Sequence, residues 1–177
     1  IQALAGVVRF KLRRPALEAA MSVGGVALAV AETGTLALAG GDDRLALAAS
    51  PIHVAVMGIE QVTATLQDLA LLLPLLSGSA SGQPLPGHAT LLSGPMPAGA
   101  ADGPRELHLV ILDNGRSDLL RWGYGEALAC IRCGACHNAC PVYREIGGQA
   151  YSQRGSGPID SLFLPLLPAP PAPDTPA

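Results

Sequence analysis

Four cysteines, all between positions 130 and 140, are the residues whose type and spacing best suit chemistry in this chain. They follow the pattern C-x2-C-x2-C-x3-C-P and are Cys130, Cys133, Cys136 and Cys140, with Pro141 next. Gaps of two residues let thiolates converge on one small inorganic cluster, and bacterial iron–sulfur sites have this spacing. All four cysteines are therefore candidate metal ligands, and they predict at most one 4Fe–4S cluster.

Two other uses of the cysteines fit the sequence less well. A disulfide framework is typical of small secreted chains, and nothing else in this sequence indicates one. A four-cysteine zinc site usually joins two well-separated C-x2-C pairs, whereas these four thiols are packed into one run. Zinc stays open as the lesser alternative to an iron–sulfur cluster.

The sequence leaves three roles open for Cys140. In two-cluster proteins the fourth cysteine of such a run binds the other cluster, and this chain contains no second run. Cys140 therefore folds back onto the first cluster, or an outside ligand or water takes its place, or the cube lacks one iron. A helix predicted over residues 137–143 would direct Cys140 away, which favours an incomplete, oxygen-labile cluster.

The composition indicates a folded chain without an obvious polyanionic partner. Of its 177 residues, 49% are hydrophobic and 14% are charged, and the formal net charge is −3. This balance argues against a disordered chain, and we expect no nucleic acid to bind it. Aromatic residues make up 3% of the chain, which is too few for a surface that stacks single-stranded bases.

No segment is expected to cross a membrane or to direct secretion. The most apolar run, Leu69–Leu76, contains Pro74 and is far shorter than the roughly 20 residues that a bilayer requires. The chain begins with Ile1, and its opening lacks the pattern of a secretory leader, so we expect it to start inside a longer protein. Free thiols in a cluster motif favour a cytoplasmic location, either in the cytoplasm itself or at its membrane face.

Hydrophobic periodicity predicts the elements that precede the cysteines. Apolar runs bounded by glycine predict buried strands, and Thr65–Asp68 has the pattern of a capping box at a helix start. We expect Pro74 to end or kink that helix. Residues 4–14 are predicted as the end of a helix, which Pro15 then interrupts, unless Pro15 opens the next turn. Short strands mixed with helices predict the α/β class. The strands are predicted at residues 26–30, 35–39, 53–57, 88–92 and 107–112, with a turn at 40–43.

Further helices are predicted around the cysteine run. One begins near Ser117, and another covers Glu126–Arg132 and leads into the first cysteine. From Pro165 onward the chain is rich in proline and alanine, which is typical of a linker or tail with polyproline character.

Two polar turns are candidate ligand sites. Glu32, Thr33, Gly34 and Thr35 lie between two predicted strands and offer a carboxylate, two hydroxyls and backbone donors to a small polar ligand. The alternative is a plain turn whose side chains satisfy the backbone, and the spacing alone favours it.

The second candidate turn contains Asn114, Gly115 and Arg116. It follows the last predicted strand, and open α/β sheets bind ligands at the carboxyl ends of their strands. Arg116 would there pair with a carboxylate or phosphate. An Asn-Gly turn with a structural ion pair is an equally good interpretation.

Several strings together resemble the lactate utilisation protein B family, the iron–sulfur subunit of a bacterial L-lactate oxidation system. They are Ala31–Thr35, Leu112–Ser117 and the run from Cys130 to Tyr143, continued by Arg144, Ile146, Gly147, Gly148, Ala150 and Tyr151. The resemblance implies a lactate-utilisation (LUD) domain, related in fold to the sugar-phosphate isomerase and CoA-transferase class, followed by a helical ferredoxin-like segment.

The resemblance also implies a division of the chain into an N-terminally incomplete LUD-like α/β domain at 1–122, a ferredoxin-type segment at 123–164 and a tail at 165–177. Family members carry a second cysteine run, which is absent here. Met96 follows Gly94-Pro95 where the family usually has arginine, and Gln149 stands where it usually has histidine. These departures weaken the transfer of ligand-binding roles.

Two functions from different classes follow. In the first, the chain is the electron-transfer subunit of an oxidoreductase that converts lactate to pyruvate, with other subunits of the complex as partners. The sequence has no dinucleotide-binding glycine turn, so dehydrogenation itself would need such a partner. In the second, the chain is a non-redox LUD module that binds a small anion or a partner, and its cysteines are structural.

Overall fold

The structure, a computed structural model, describes residues 2–39, 44–82, 88–100, 102–148, 158–163 and 165–167. The chain forms two compact units, Ile1–Leu112 and Asp113–Ala177. This division falls earlier in the chain than the boundary we predicted at residue 122. The helix that follows Asp113 packs on the turn that leads to the cysteines, which explains why it belongs to the second unit.

The N-terminal unit combines parallel and antiparallel strands with helices, which confirms the α/β class. The strands are β1 Met21–Gly25, β2 Leu28–Val30, β3 Thr35–Ala39, β4 Ile52–Gly58, β5 Val62–Thr63, β6 Ala89–Leu92 and β7 Glu106–Leu112. One sheet is parallel with the strand order β1-β4-β7, and a second, mixed sheet has the order β5-β2-β3-β6.

The apolar run at residues 26–30, predicted as one strand, is where the chain passes from one sheet to the other. Val26 N–H donates to Val56 O of β4 at 2.9 Å, and Ala27 N–H donates to Ala37 O of β3 at 2.8 Å. Consecutive residues therefore hydrogen-bond to different sheets, so β2 begins only at Leu28. The other four predicted strands are confirmed within one residue at each end.

The buried core lies on both faces of the mixed sheet. Leu28 and Val30 of β2 pack with Leu69, whereas Ala29 between them packs in a second cluster with Leu36 and others. Successive side chains of a strand point to opposite faces, so β2 contributes to both clusters. The second cluster comprises Val26, Ala29, Leu36, Leu47, Ala55, Met57 and Leu92.

Two helices continue past prolines, of which Pro74 was expected to end or kink its helix and Pro15 to interrupt its helix or open the next turn. Helix α1 (Gln2–Glu18) contains Pro15, and helix α3 (Leu66–Ser81) contains Pro74 and ends at Gly82, which has a left-handed φ of 72°. An internal proline removes one hydrogen bond of the helical ladder. The burial of Leu69 against β2 helps to hold α3 in place despite that loss. Helix α2 covers Arg44–Ala49.

The start of α3 confirms the predicted capping box. Thr65 Oγ1 accepts from Asp68 N–H at 3.2 Å, and an Asp68 carboxylate oxygen accepts from Thr65 N–H at 2.9 Å. Two backbone donors at the helix start are thereby satisfied, because each side chain binds the other residue's backbone.

The C-terminal unit has short helices: α4 Arg116–Arg121, α5 Ala135–Ala139, α6 Pro141–Ile146 and α7 Pro158–Phe163. The helix expected over Glu126–Arg132 is instead a 3-10 turn, Gly125–Ala129, followed by extended chain at Cys130. The helix expected over residues 137–143 is broken at Cys140, whose ψ is 115°. Pro141 explains this break, because a residue before proline is disfavoured in the helical region.

The turn predicted at 40–43 and most of the proline-rich tail lie outside the described residues. Among the residues that are described, no helix has the length and apolar character needed to span a bilayer.

Candidate iron–sulfur site

Three of the four cysteines border one cavity. Cys130, Cys133 and Cys136 line a space of about 230 Å³, together with residues of the loop between them and of α7. The four thiols are half-buried, and none forms a disulfide. The spacing of the motif thus brings three thiols together in the folded chain, although the four-cysteine ligand set itself stays a prediction.

The loop that carries these thiols uses two left-handed residues. Arg132 has a φ of 57° and Gly134 has a φ of 77°, so both residues beside Cys133 have unusual backbone angles. A positive φ is unfavourable for a residue with a Cβ, and Arg132 adopts it nonetheless. These angles prevent a regular helix through the run and turn the chain sharply around Cys133.

Cys140 is not among the residues that line the cavity. Its Sγ accepts a hydrogen bond from Tyr143 N–H at 3.4 Å and so caps the start of α6. The Tyr143 ring stacks on His137, with ring centroids 4.3 Å apart and planes inclined by 11°. His137 itself borders the cavity. The stacked rings therefore join the edge of the cavity to the turn that carries Cys140.

A buried carboxylate lies beside the thiols. Asp160 of α7 is 7% exposed and borders the same cavity, and its Oδ1 is 3.4 Å from Arg132 Nη1. The positive charge of Arg132 beside the thiols would raise the reduction potential of a bound cluster. Asp160 partly offsets that charge, so the effect of Arg132 is smaller than its charge alone would give. Sequence reasoning missed Asp160 because it lies far along the chain from the motif.

The donor set fits a cluster better than a single metal ion. A tetrahedral zinc site brings its sulfur ligands to about 2.3 Å from one point. Within the described part of the chain, no three histidine, cysteine or acidic side chains come close enough to hold one ion. In a 4Fe–4S cube each thiolate binds a different iron, so the ligands surround a cavity rather than a point. Three thiols around one cavity meet that requirement.

The first candidate turn forms a small hydroxyl cluster. Thr33 and Thr35 hydroxyls are 2.7 Å apart, and Thr35 Oγ1 is 2.9 Å from Ser93 Oγ. Glu32 is exposed in the turn between β2 and β3, and Gly34 has a φ of 67°. Ser93 follows β6, which pairs with β3, and no local pattern in the sequence predicted that it would join this turn.

The second candidate turn is organised by Asp113. Its carboxylate accepts from Ser117 N–H at 2.9 Å, Ser117 Oγ–H at 2.9 Å and Gly115 N–H at 3.3 Å. The hydrogen bonds from the Ser117 backbone and hydroxyl lower the pKa of Asp113, with smaller contributions from Gly115 and the Arg116 charge. Arg116 Nη1 donates to Asp113 O at 3.1 Å. These contacts describe a local turn, and a ligand role for Asn114, Gly115 and Arg116 stays a prediction.

Fold and site together define an iron–sulfur protein in which an α/β unit precedes a cysteine-bearing helical unit. The chain belongs to the LUD domain family, whose family model matches residues 3–112. Residues 126–168 match the 4Fe-4S dicluster domain. The second match confirms the predicted cofactor, because four cysteines at 130–140 agree with a single 4Fe–4S cluster.

Curated relatives confirm the resemblance stated from the sequence. The chain is 46% identical over 168 residues to "Lactate utilization protein B" of Shouchella clausii, with 94% of this chain and 35% of the relative covered. It is 44% identical over 168 residues to an "Uncharacterized electron transport protein" of Escherichia coli (strain K12), with the same coverage. The chain thus spans about a third of the length of these relatives.

A solved structure is also similar to part of the chain. It is the crystal structure of a DUF162 family protein from Deinococcus radiodurans, with a TM-score of 0.43 and 22% identity. The similarity covers 56% of this chain and 57% of that chain.

Proposed function

We propose that this chain is the iron–sulfur electron-transfer part of a bacterial system that oxidises L-lactate to pyruvate. The cavity bordered by Cys130, Cys133 and Cys136 is the observation that carries the proposal. The names of the relatives, one for lactate utilisation and one for electron transport, support it from a second direction. A bound 4Fe–4S cluster would supply one-electron redox chemistry.

The residues of the C-terminal unit have distinct roles in this proposal. Cys130, Cys133 and Cys136 bind the cluster, and Cys140 is directed to a different position by its contact with Tyr143. Arg132 and Asp160 set the local charge. The half-buried thiols leave the cavity partly screened from water, which affects the reduction potential of a cluster.

The chain acts in this proposal with other subunits of a lactate-oxidation complex in the cytoplasm. It needs them because its sequence has no nicotinamide- or flavin-binding glycine turn. The α/β unit serves as the LUD domain and the cysteine-bearing unit as the ferredoxin-type segment. Two turns are proposed to bind small ligands. One is Glu32–Thr35 in the α/β unit, and the other is Asn114–Arg116, which follows that unit in the chain.

The experiment follows cluster reduction by lactate. The chain is reconstituted anaerobically with iron and sulfide, and its visible absorption is recorded after lactate alone and after lactate with extract of lactate-grown source cells. We expect bleaching only with extract, because the sequence has no dinucleotide-binding glycine turn to support the dehydrogenation step. Extract with D-lactate is the matched control. A cluster that forms but is never reduced in the presence of extract and L-lactate contradicts the electron-transfer role.

The alternative function is a non-redox LUD module that binds a small anion or a partner and whose cysteines are structural. The linked hydroxyls of Thr33, Thr35 and Ser93 are the observation that favours it, since hydroxyls donate to anions. A colourless protein that contains zinc after anaerobic purification would support this alternative. Brown protein with equal iron and sulfide would support the electron-transfer proposal.

A further inference from the structure

Helices α5 and α6 pack on each other through two aromatic rings. The half-buried side chains of these helices are Cys136, His137 and Tyr143, and their other side chains are exposed. Val142 and Ile146, the aliphatic residues of α6, are 52% and 55% exposed, so they leave most of their surface outside this contact. Short helices in proteins are usually held by an apolar face packed against a neighbour. Here the imidazole and phenol rings take the place of that face.

The two rings fix each other's position. Their centroids are 4.3 Å apart, and their planes are inclined by 11°. The chain between them is not helical throughout, because Cys140 has a ψ of 115°, so the backbone alone does not align the rings. Tyr143 N–H donates to Cys140 Sγ at 3.4 Å, which anchors the first turn of α6. Tyr143 is therefore held both by its backbone and by its stacked ring.

The rings occupy successive positions outward from the cavity. His137 borders the cavity directly after Cys136, whereas Tyr143 is not among the described residues that line it. Tyr143 thus acts on the cavity through His137. A half-buried imidazole without a stacked neighbour can change between staggered rotamers. The stack restricts that change and keeps the His137 ring at the edge of the cavity.

A ring held at this edge limits the access of solvent to the thiols. The side chains around a metal site control how much water reaches it, and solvent exposure is one of the factors that set the potential of an iron–sulfur cluster. Reduction adds a negative charge to the cluster, and water stabilises that charge better than an aromatic ring does. A shielded cluster is therefore harder to reduce, and dissolved oxygen reaches it more slowly.

We propose that Tyr143 is a positioning residue, which stacks on His137 and so holds the imidazole ring as a solvent shield at the edge of the cluster cavity. This role rests on the cluster binding by Cys130, Cys133 and Cys136 in the proposed function. The shield lowers the reduction potential of the cluster and lengthens its life in air. Both effects come from the position and bulk of the rings, and not from the tyrosine hydroxyl.

The test compares anaerobically reconstituted full chains at equal iron and sulfide content. Tyr143→Leu keeps an apolar side chain but removes the flat ring. We expect a less negative midpoint potential and a half-life of the visible absorption in air that is about two- to tenfold shorter, the factor that corresponds to the loss of one aromatic pair. Tyr143→Phe keeps the stack and should match the wild type in both measurements. Val142→Ala changes an exposed neighbour on α6 and is the matched control.

Substitutions of the inner ring test whether Tyr143 acts through His137. His137→Ala removes the shield, so it should raise the potential and shorten the half-life as Tyr143→Leu does. His137→Phe keeps a stacked ring and should keep the half-life of the wild type. The double variant His137→Ala/Tyr143→Leu should be no worse than His137→Ala alone, because Tyr143 then has no ring to hold.

Wild-type potential and half-life in Tyr143→Leu would overturn this role. Additive effects in the double variant, or equal changes in Tyr143→Phe and Tyr143→Leu, would also overturn it, because they assign the effect to contacts other than the stack. If Tyr143→Leu assembles no cluster, His137→Ala and His137→Phe decide, and equal half-lives for these two would overturn the role. A wild-type chain that binds no iron and sulfide contradicts the proposed function and this role with it, whereas the other outcomes leave that function intact.

Discussion

The N-terminal and C-terminal units are stabilised in different ways. The N-terminal unit buries two apolar clusters on the faces of a sheet, with residues such as Val30 and Ala37 at 0–1% exposure. The described part of the C-terminal unit buries a single apolar side chain, Leu119, and its helices have five or six residues. Isolated helices of that length are not stable in water.

This difference indicates which unit depends on a cofactor. Burial of apolar surface is the main favourable contribution to folding, and the N-terminal unit has it without any cysteine. Ligand bonds contribute directly to folding when a small segment has little core of its own. We therefore expect removal of iron to unfold the cysteine-bearing unit and to leave the α/β unit folded.

The largest effect is expected from Cys133→Ala. Loss of one of the three thiols at the cavity should abolish the visible absorption of the cluster and destabilise the C-terminal unit. Trp122 is the single tryptophan of the chain and lies in that unit, so its fluorescence reports on that unit alone. Far-UV circular dichroism should keep most of its strand signal. Full iron and sulfide content in the variant would refute the ligand assignment.

A smaller effect is expected from Leu69→Ala, a change within the core of the α/β unit. Leu69 is 4% exposed and packs on β2, so its truncation should cost about 3 kcal/mol in the free energy of unfolding. Denaturant titration followed by circular dichroism measures this cost, while the iron content should not change. Leu71→Ala is the matched control, because Leu71 is 69% exposed on the same helix. Equal costs for the two substitutions would contradict the packing described for α3.

Thr65→Ala should have a still smaller effect, about 1 kcal/mol, because it removes the side chain that caps α3. The same titration measures it. Gln67→Ala changes an exposed residue of the same first turn and is expected to be nearly neutral. A cost for Gln67→Ala that equals the cost for Thr65→Ala would show that the cap contributes nothing specific.

The smallest effect concerns the pH dependence of the C-terminal unit. The pKa of Asp113 is lower in the folded chain, chiefly through hydrogen bonds from Ser117, so its contribution to stability is fully present above the unfolded carboxyl pKa. That contribution is lost as the pH falls through the lowered folded pKa. Thermal melts followed by Trp122 fluorescence should therefore depend less on acidic pH in Asp113→Asn than in the wild type. Glu126→Gln is the charge-matched control, and an identical pH profile for Asp113→Asn and the wild type would contradict this role.

Local patterns in the sequence predicted the features whose contacts lie close together in the chain. The capping box of Thr65 and Asp68 involves residues three positions apart, so the sequence alone specifies it. Likewise, gaps of two residues bring Cys130, Cys133 and Cys136 to one cavity. The cause of the helix break at Cys140 is also local, since Pro141 disfavours a helical conformation at the residue before it. We nevertheless expected a continuous helix there.

Only the tertiary structure decided the contacts between distant residues. Asp160 reaches Arg132 across 28 positions, and Ser93 reaches Thr35 across 58. Neither pairing has a periodic or local signal, because both depend on how separate elements pack or pair. The passage of the chain from one sheet to the other at Val26 and Ala27 also depends on distant residues. Val26 hydrogen-bonds to β4, whereas Ala27 hydrogen-bonds to β3. The sequence by itself determined the kind of cofactor through thiol spacing, and the tertiary structure decided which other side chains surround it.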